Sequence, residues 1–309
     1  MSDVHGADLA GQLALEPLAG GWSGRTFLGT VAGERSVVRV YDADDAVSSG
    51  RDAAVLQLAR QVLAGCAPVP AVLEVRHGDA AAGTPGLLVT EFLPGERGDL
   101  LLPALDERGL ASFCAALGEV VARLAGAVQP VAGRFLDAGL AVGPWEEPWD
   151  SASLSELVSA LVPRLDLAAE DVTGLLAACE EAQELLDAAP GTSLVHGDLN
   201  PKNLLLSRHE DGTVVVTGVL DWEFAHAGTP WADLGNLVRD HRLPAYVDAL
   251  VGTVATRRGT TVEEALDRAR AADLVALVEL ATRRGSNPVA DAAHERVLAI
   301  ARSRDLHAR

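Results

Sequence analysis

The sequence predicts an α+β chain in two lobes, a small β-rich lobe over residues 1–95 and a larger, mainly helical lobe over residues 96–309. Three observations carry this. Short β-type runs crowd into the first lobe around a single helical stretch. From Asp99 onward the apolar spacing becomes helical. Between Val195 and Ala225 that helical run is broken by two short strands. With 309 residues and 49% hydrophobic content the chain can bury a sizeable core.

The elements follow in order. "LALEPLAGGWSGRTFLGTVAG" reads as two strands around a glycine-rich turn, and "SVVRVY" (Ser36 to Tyr41) as a third, short and β-branched. "SGRDAAVLQLARQVLAG" has helical periodicity, with Ser48 or Ser49 as its cap and Gly65 at its close. "PAVLEVRHG" and "GLLVTEFLPGE" are strands around the turn "AAGTPG", and a connector follows near Glu91 to Gly98. Amphipathic helices are expected in "LDERGLASFCAALGEVVARLAGA", "SLSELVSALV" and "EDVTGLLAACEEAQELLDAA", with "GPWEEPWD" an irregular loop among them. After a strand pair around "RHEDG", helices resume at Ala232 and run to the end.

The net charge of −19 argues against nucleic acid and against an anionic membrane surface, and is compatible with a cationic substrate. Cys66, Cys114 and Cys179 form no CxxC or metal spacing. They read as core residues of a chain in a reducing, cytoplasmic setting. No secretory signal opens the chain, and no spanning helix is expected.

The chemistry concentrates in "HGDLNPKN" followed by "VLDWE". Asp198 and Asn203 are five apart, and Asp221 closes the apolar strand "VVVTGVL". Two carboxylates and an asparagine on loops beside short strands suit Mg²⁺, which takes a few hard oxygen ligands and shares the rest with water and phosphate. A carboxylate facing an acceptor hydroxyl can take its proton as the new bond forms.

This segment resembles the catalytic loop of the protein-kinase-like superfamily. With glycine where the kinases carry arginine, it is closest to the aminoglycoside phosphotransferase and choline-kinase-like branch. "LDWEFAHAGTPWADLGNL" resembles that branch's metal-binding strand end. The resemblance covers most of the chain in layout and is specific from His196 to Leu237. It implies a protein-kinase-like two-lobe fold and transfer of the γ-phosphoryl of ATP or GTP to an alcohol. It implies Asp198 as catalytic base and Asn203 and Asp221 as Mg²⁺ ligands. His196 and Asp233 read as structural supports of the loop.

The same resemblance assigns nucleotide contacts upstream. Gly20, Gly21, Ser23 and Gly24 in "AGGWSGRTF" would approach the phosphates, although the turn does not match G-x-G-x-x-G. The third strand ordinarily offers a lysine, but Lys202 is the only lysine in the chain, so the phosphate-binding cation of this lobe is Arg39. Asp52 stands where a glutamate ordinarily pairs with that cation, one methylene shorter. Backbone groups of Glu91, Phe92 and Leu93 would meet the base, and the choice of ATP or GTP stays open. Lys202, four positions after the base, is a further candidate for phosphate.

The acceptor is a small molecule, because no activation segment or Ala-Pro-Glu follows "DWE". Trp145, Glu146, Glu147, Trp149 and Asp150 would suit an amine, such as an aminoglycoside or another antibiotic in a resistance enzyme. A metabolic kinase for a sugar, amino sugar or amino alcohol shares every motif. A non-catalytic nucleotide-binding pseudokinase would be expected to have lost one of Asp198, Asn203 or Asp221. The sequence leaves the oligomeric state open.

Overall fold

A computed structural model of the chain describes residues 14–17, 25–31, 34–239 and 244–308. The small lobe contains β1 (Ala14–Pro17), β2 (Arg25–Val31), β3 (Glu34–Val40), α1 (Ser48–Val62), β4 (Val72–Arg76) and β5 (Leu87–Glu91). Its strands form one antiparallel sheet in the order β1-β2-β3-β5-β4, which sets Ser36 opposite Glu91 and Arg39 opposite Leu88. Valines and other β-branched residues favour these pleated positions. The helix α1 begins at Ser48, and its cap is neither serine. Asp45 Oδ1 accepts from the N–H groups of Val47 and Ser48 at 3.2 and 2.8 Å, so an upstream aspartate satisfies the first turn.

The large lobe opens with β6 (Glu96–Arg97), α2 (Gly98–Leu101) and α3 (Glu107–Gly126). It continues through β7 (Gly133–Phe135), β8 (Val142–Gly143), α4 (Leu154–Leu161), α5 (Ala169–Asp187) and β9 (Ser193–Val195). Next come β10 (Leu204–Arg208), β11 (Val214–Val219) and β12 (His226–Gly228), then α6 (Ala232–Arg239), α7 (Pro244–Arg258), α8 (Val262–Ala281) and α9 (Pro288–Ser303). Two small sheets hold the central segment. One has the order β11-β10-β6 and the other β8-β7-β12-β9. Strands β6, β7, β8, β9 and β12 are two or three residues long, too short to show a period in sequence, and their pairing is entirely tertiary.

α3 is long and apolar enough by length and composition alone to cross a membrane, a test that the core helix of a folded protein also passes. Its apolar face is spent inside the protein: Phe113, Cys114, Leu117, Val120, Val121 and Leu124 are buried, packed largely against α7. One hydrophobic core runs from Tyr41 and α1 through α3 to Trp222, Trp231 and α7. A second lies among α4, α5, α8 and α9. Cys114 and Cys179 are buried in these cores and Cys66 is half-buried. Burial pushes the Cys114 thiol up to about 11 and the Cys179 thiol up to about 12, so both behave as small apolar residues at neutral pH.

Candidate active site

The buried strand β9 delivers His196 into the core, and the loop that follows is fixed from below. Asp233, buried at the start of α6, accepts the N–H of His196 at 2.9 Å and of Gly197 at 3.1 Å. Its burial raises its carboxyl pKa, an effect opposed by those two N–H groups. His196 is fully buried, with Nε2 2.9 Å from Leu220 O and Nδ1 accepting the Asp198 N–H at 3.3 Å. That pairing selects the neutral ring protonated on Nε2. Trp222 covers the imidazole at 4.5 Å between centroids and donates its Nε1–H to Val219 O at 3.0 Å.

Gly197 explains why arginine is absent from this position. Its φ of +84° is left-handed, and a Cβ there would lie 2.4 Å from Phe224 O. The loop and the segment after Asp221 thus approach each other backbone to backbone, and no side chain fits between them.

Asp198 is then oriented by two amides. Asn200 Nδ2 donates to Asp198 Oδ1 and Asn203 Nδ2 to Asp198 Oδ2, both at 2.9 Å. Asn203 Nδ2 also reaches the Asp198 carbonyl at 2.9 Å. With its amide N–H groups committed to Asp198, Asn203 has its Oδ1 left to face a cation. Asp221 sits at the end of β11 with φ +64°, a left-handed conformation that aspartate tolerates better than most residues. Desolvation, Glu223 and Asp198 raise its carboxyl pKa, against the pull of Arg39. A divalent cation between Asp221 and Asn203 Oδ1 would relieve that repulsion, so the donor set fits Mg²⁺. No group of three or more His, Cys, Asp or Glu that could hold a metal ion is present among the described residues.

The cation of the small lobe also reaches this site. Arg39, on β3, hydrogen-bonds the Glu223 carboxylate across the cleft. The expected pairing of Arg39 with Asp52 is not made. Asp52 instead accepts from the Tyr41 hydroxyl at 2.9 Å and from Arg51 at 3.0 and 2.9 Å. The shorter aspartate side chain and the ring of Tyr41 account for the difference. In the connector, the Leu93 N–H has no backbone partner among the described residues, whereas the Glu91 N–H is bound to Ala71 O at 2.8 Å. The Phe92 ring lies 3.6 Å below the Arg35 guanidinium.

The sequence fits the phosphotransferase enzyme family, APH, over residues 14–274, most of the chain. The chain belongs to that family. It is a phosphotransferase. No curated protein sequence is a significant match to it. Among solved structures, a thermostable mutant of the aminoglycoside phosphotransferase APH(4)-Ia, in ternary complex with AMP-PNP and hygromycin B, is 20% identical. It aligns over 95% of both chains with a TM-score of 0.64. A microcompartment-associated aminopropanol kinase is 20% identical over 96% of this chain and 93% of its own, TM-score 0.66. A putative fructosamine-3-kinase from Haemophilus somnus is 16% identical over 95% of both chains, TM-score 0.59. At these identities the likeness is one of fold: a small antiparallel lobe on a larger helical one.

Other sequence-predicted residues of this phosphotransferase fall in different places. Gly20, Gly21, Ser23 and Gly24 lie outside the described residues. Lys202 is exposed, and its charge helps lower the pKa of Asp99, which is bound chiefly to Arg97. Asn200 and Tyr41 join the site without a motif of their own to mark them. The only sequence signal for Asn200 is its place two residues after Asp198, and for Tyr41 its place two residues after Arg39. The Trp145 ring of the "GPWEEPWD" loop meets His226 of β12 edge-on at 5.0 Å, five positions beyond Asp221. Glu146 in that loop pairs with Arg134 at 2.6 Å, and Phe224, just beyond Glu223, is exposed.

Proposed function

We propose that this phosphotransferase moves the γ-phosphoryl of ATP to a hydroxyl of an amine-bearing small molecule, an amino alcohol or aminoglycoside. The observation that carries the reading is the aromatic and acidic loop from Trp145 to Asp150, seated on His226 beside the metal-binding strand end. An ammonium group is attracted both by a ring face and by Glu147 or Asp150. The net charge of −19 favours the same class of acceptor. Hygromycin B, aminopropanol and fructosamine, which name ligands or substrates of the structural neighbours, all carry an amine beside hydroxyl groups.

In this mechanism Asp198, held by Asn200 and Asn203, accepts the proton of the acceptor hydroxyl as it attacks phosphorus. Asp221 and Asn203 would hold Mg²⁺, which when bound neutralises phosphate charge. Arg39 binds phosphate oxygens through its two-pronged guanidinium, and the Leu93 N–H meets the base edge. The presence of Asp198, Asn203 and Asp221 together favours catalysis over a pseudokinase. The unpaired cysteines suit a reducing compartment.

A coupled assay of phosphate transfer from ATP and from GTP tests the reading across aminoglycosides, other antibiotics, amino sugars, simple amino alcohols and neutral polyols. Turnover confined to amine-bearing alcohols is the expected result. Turnover of neutral polyols alone would sink the amine assignment. The productive acceptors also separate resistance from metabolism.

A further inference from the structure

We propose that Tyr41 is a positioning residue for the nucleotide-binding cation, linking the carboxylate of α1 to Arg39 where a direct ion pair is not formed. The proposal rests on the assignment of Arg39 to the triphosphate. Arg39 and Tyr41 are two apart where β3 ends, so strand alternation turns both to one side. The Arg39 guanidinium carbon lies 5.6 Å from the centroid of the Tyr41 ring, within range of a cation–π attraction. The Tyr41 hydroxyl donates to Asp52 Oδ2 at 2.9 Å. The other oxygen of Asp52 accepts from Arg51 Nε and Nη2 at 3.0 and 2.9 Å.

Both oxygens of Asp52 are therefore committed, and Arg39 bonds across the cleft to Glu223. Asp52 acts on Arg39 both by its charge and through the ring that it anchors. The ring itself has little freedom: Tyr41 is only 9% exposed, and its N–H is bound to Gly86 O at 2.9 Å. Burial and the Asp52 carboxylate push the phenol pKa well up, so the hydroxyl stays a donor. When phosphates draw Arg39 away from Glu223, the Tyr41 ring remains beneath the guanidinium. Aspartate is one methylene shorter than the usual glutamate, and tyrosine spans the gap that this leaves.

Calorimetric titration of the full chain with MgATP and, separately, with adenosine tests this. Tyr41→Phe keeps the ring and removes only its anchor. It is expected to weaken MgATP roughly three- to tenfold, the scale of one hydrogen bond to a charged group, and to leave adenosine binding unchanged. The MgATP loss should vanish when Arg39→Ala is already present. Asp52→Asn should weaken MgATP in the same direction, which keeps the test open if Tyr41→Phe folds poorly. Unchanged MgATP affinity in both variants would overturn the proposal. So would an equal loss for adenosine, or an undiminished Tyr41→Phe loss in the Arg39→Ala background. If Arg39→Ala alone leaves MgATP binding intact, the assignment of Arg39 fails. If Arg39→Ala weakens it while Tyr41→Phe does not, the role of Tyr41 alone fails.

Discussion

In the catalytic loop, Asp198 is held by amides two and five positions away, whereas in the small lobe Arg39 is held by a carboxylate 184 positions away. The first arrangement is local. Its backbone is pinned by Asp233 and His196, and its closest approach is secured by a glycine that leaves no room for a Cβ. The second is assembled from β3, α1 and the segment after β11, and depends on how two lobes meet. The contrast teaches that the Asp198 end of this site is built as a rigid turn. The Arg39 end is built from partners on separate elements: on the proposed function Arg39 would share or release Glu223 when phosphates arrive, whereas Asp198 would keep its amides.

The comparison can be broken at its strongest point first. Asp198→Ala should lower turnover about 10²–10⁴-fold, the range for loss of a general base, with little change in MgATP affinity. Steady-state kinetics with a productive acceptor, beside calorimetry of MgATP, measure both. Retention of near-normal turnover would show that the loop does not supply the base.

Asp233→Ala tests the rigid turn itself. It removes the partner of the buried His196 N–H and of the more exposed Gly197 N–H and should destabilise the fold by about 1–3 kcal/mol. Urea denaturation reads this directly, and an unchanged midpoint would mean that the loop is not supported from below.

Asp221→Asn sits where the two regions meet. It keeps the shape of the side chain and removes charge, so the magnesium concentration for half-maximal activity should rise about tenfold. A magnesium titration unaffected by the substitution removes Asp221 from the metal site.

The smallest effect is expected from Arg39→Lys, which keeps the charge but loses the fork. A rise in the nucleotide KM of about two- to fivefold is expected, with kcat nearly unchanged. A loss as large as that for Arg39→Ala would show that the fork geometry, rather than the charge, binds the phosphates.

Much of the fold and of the site is legible in the amino-acid sequence. Hydrophobic periodicity locates α1, α3, α4 and α5, and alternation with turn residues locates β3, β5, β10 and β11. The order of "HGDLNPKN" and "LDWE" places Asp198, Asn203 and Asp221, because residues that act together on one turn must lie close in the chain. Scarcity of lysine points to Arg39 as the cation. The short strands β6, β7, β8, β9 and β12 are hidden, since two or three residues carry no pattern of their own.

The sequence by itself determined the local chemistry: which residues form the loop, which follow β11 at Asp221, and which elements alternate around them. Short-range spacing and residue type suffice for that, because helices, turns and loop hydrogen bonds span only a few positions. Tertiary structure alone decided the partners. Arg39 turned to Glu223, Asp52 to Tyr41 and Arg51, and the tryptophan loop came to rest on His226. Each of those choices depends on distances set when separate elements pack, to a tolerance finer than the one methylene that separates aspartate from glutamate.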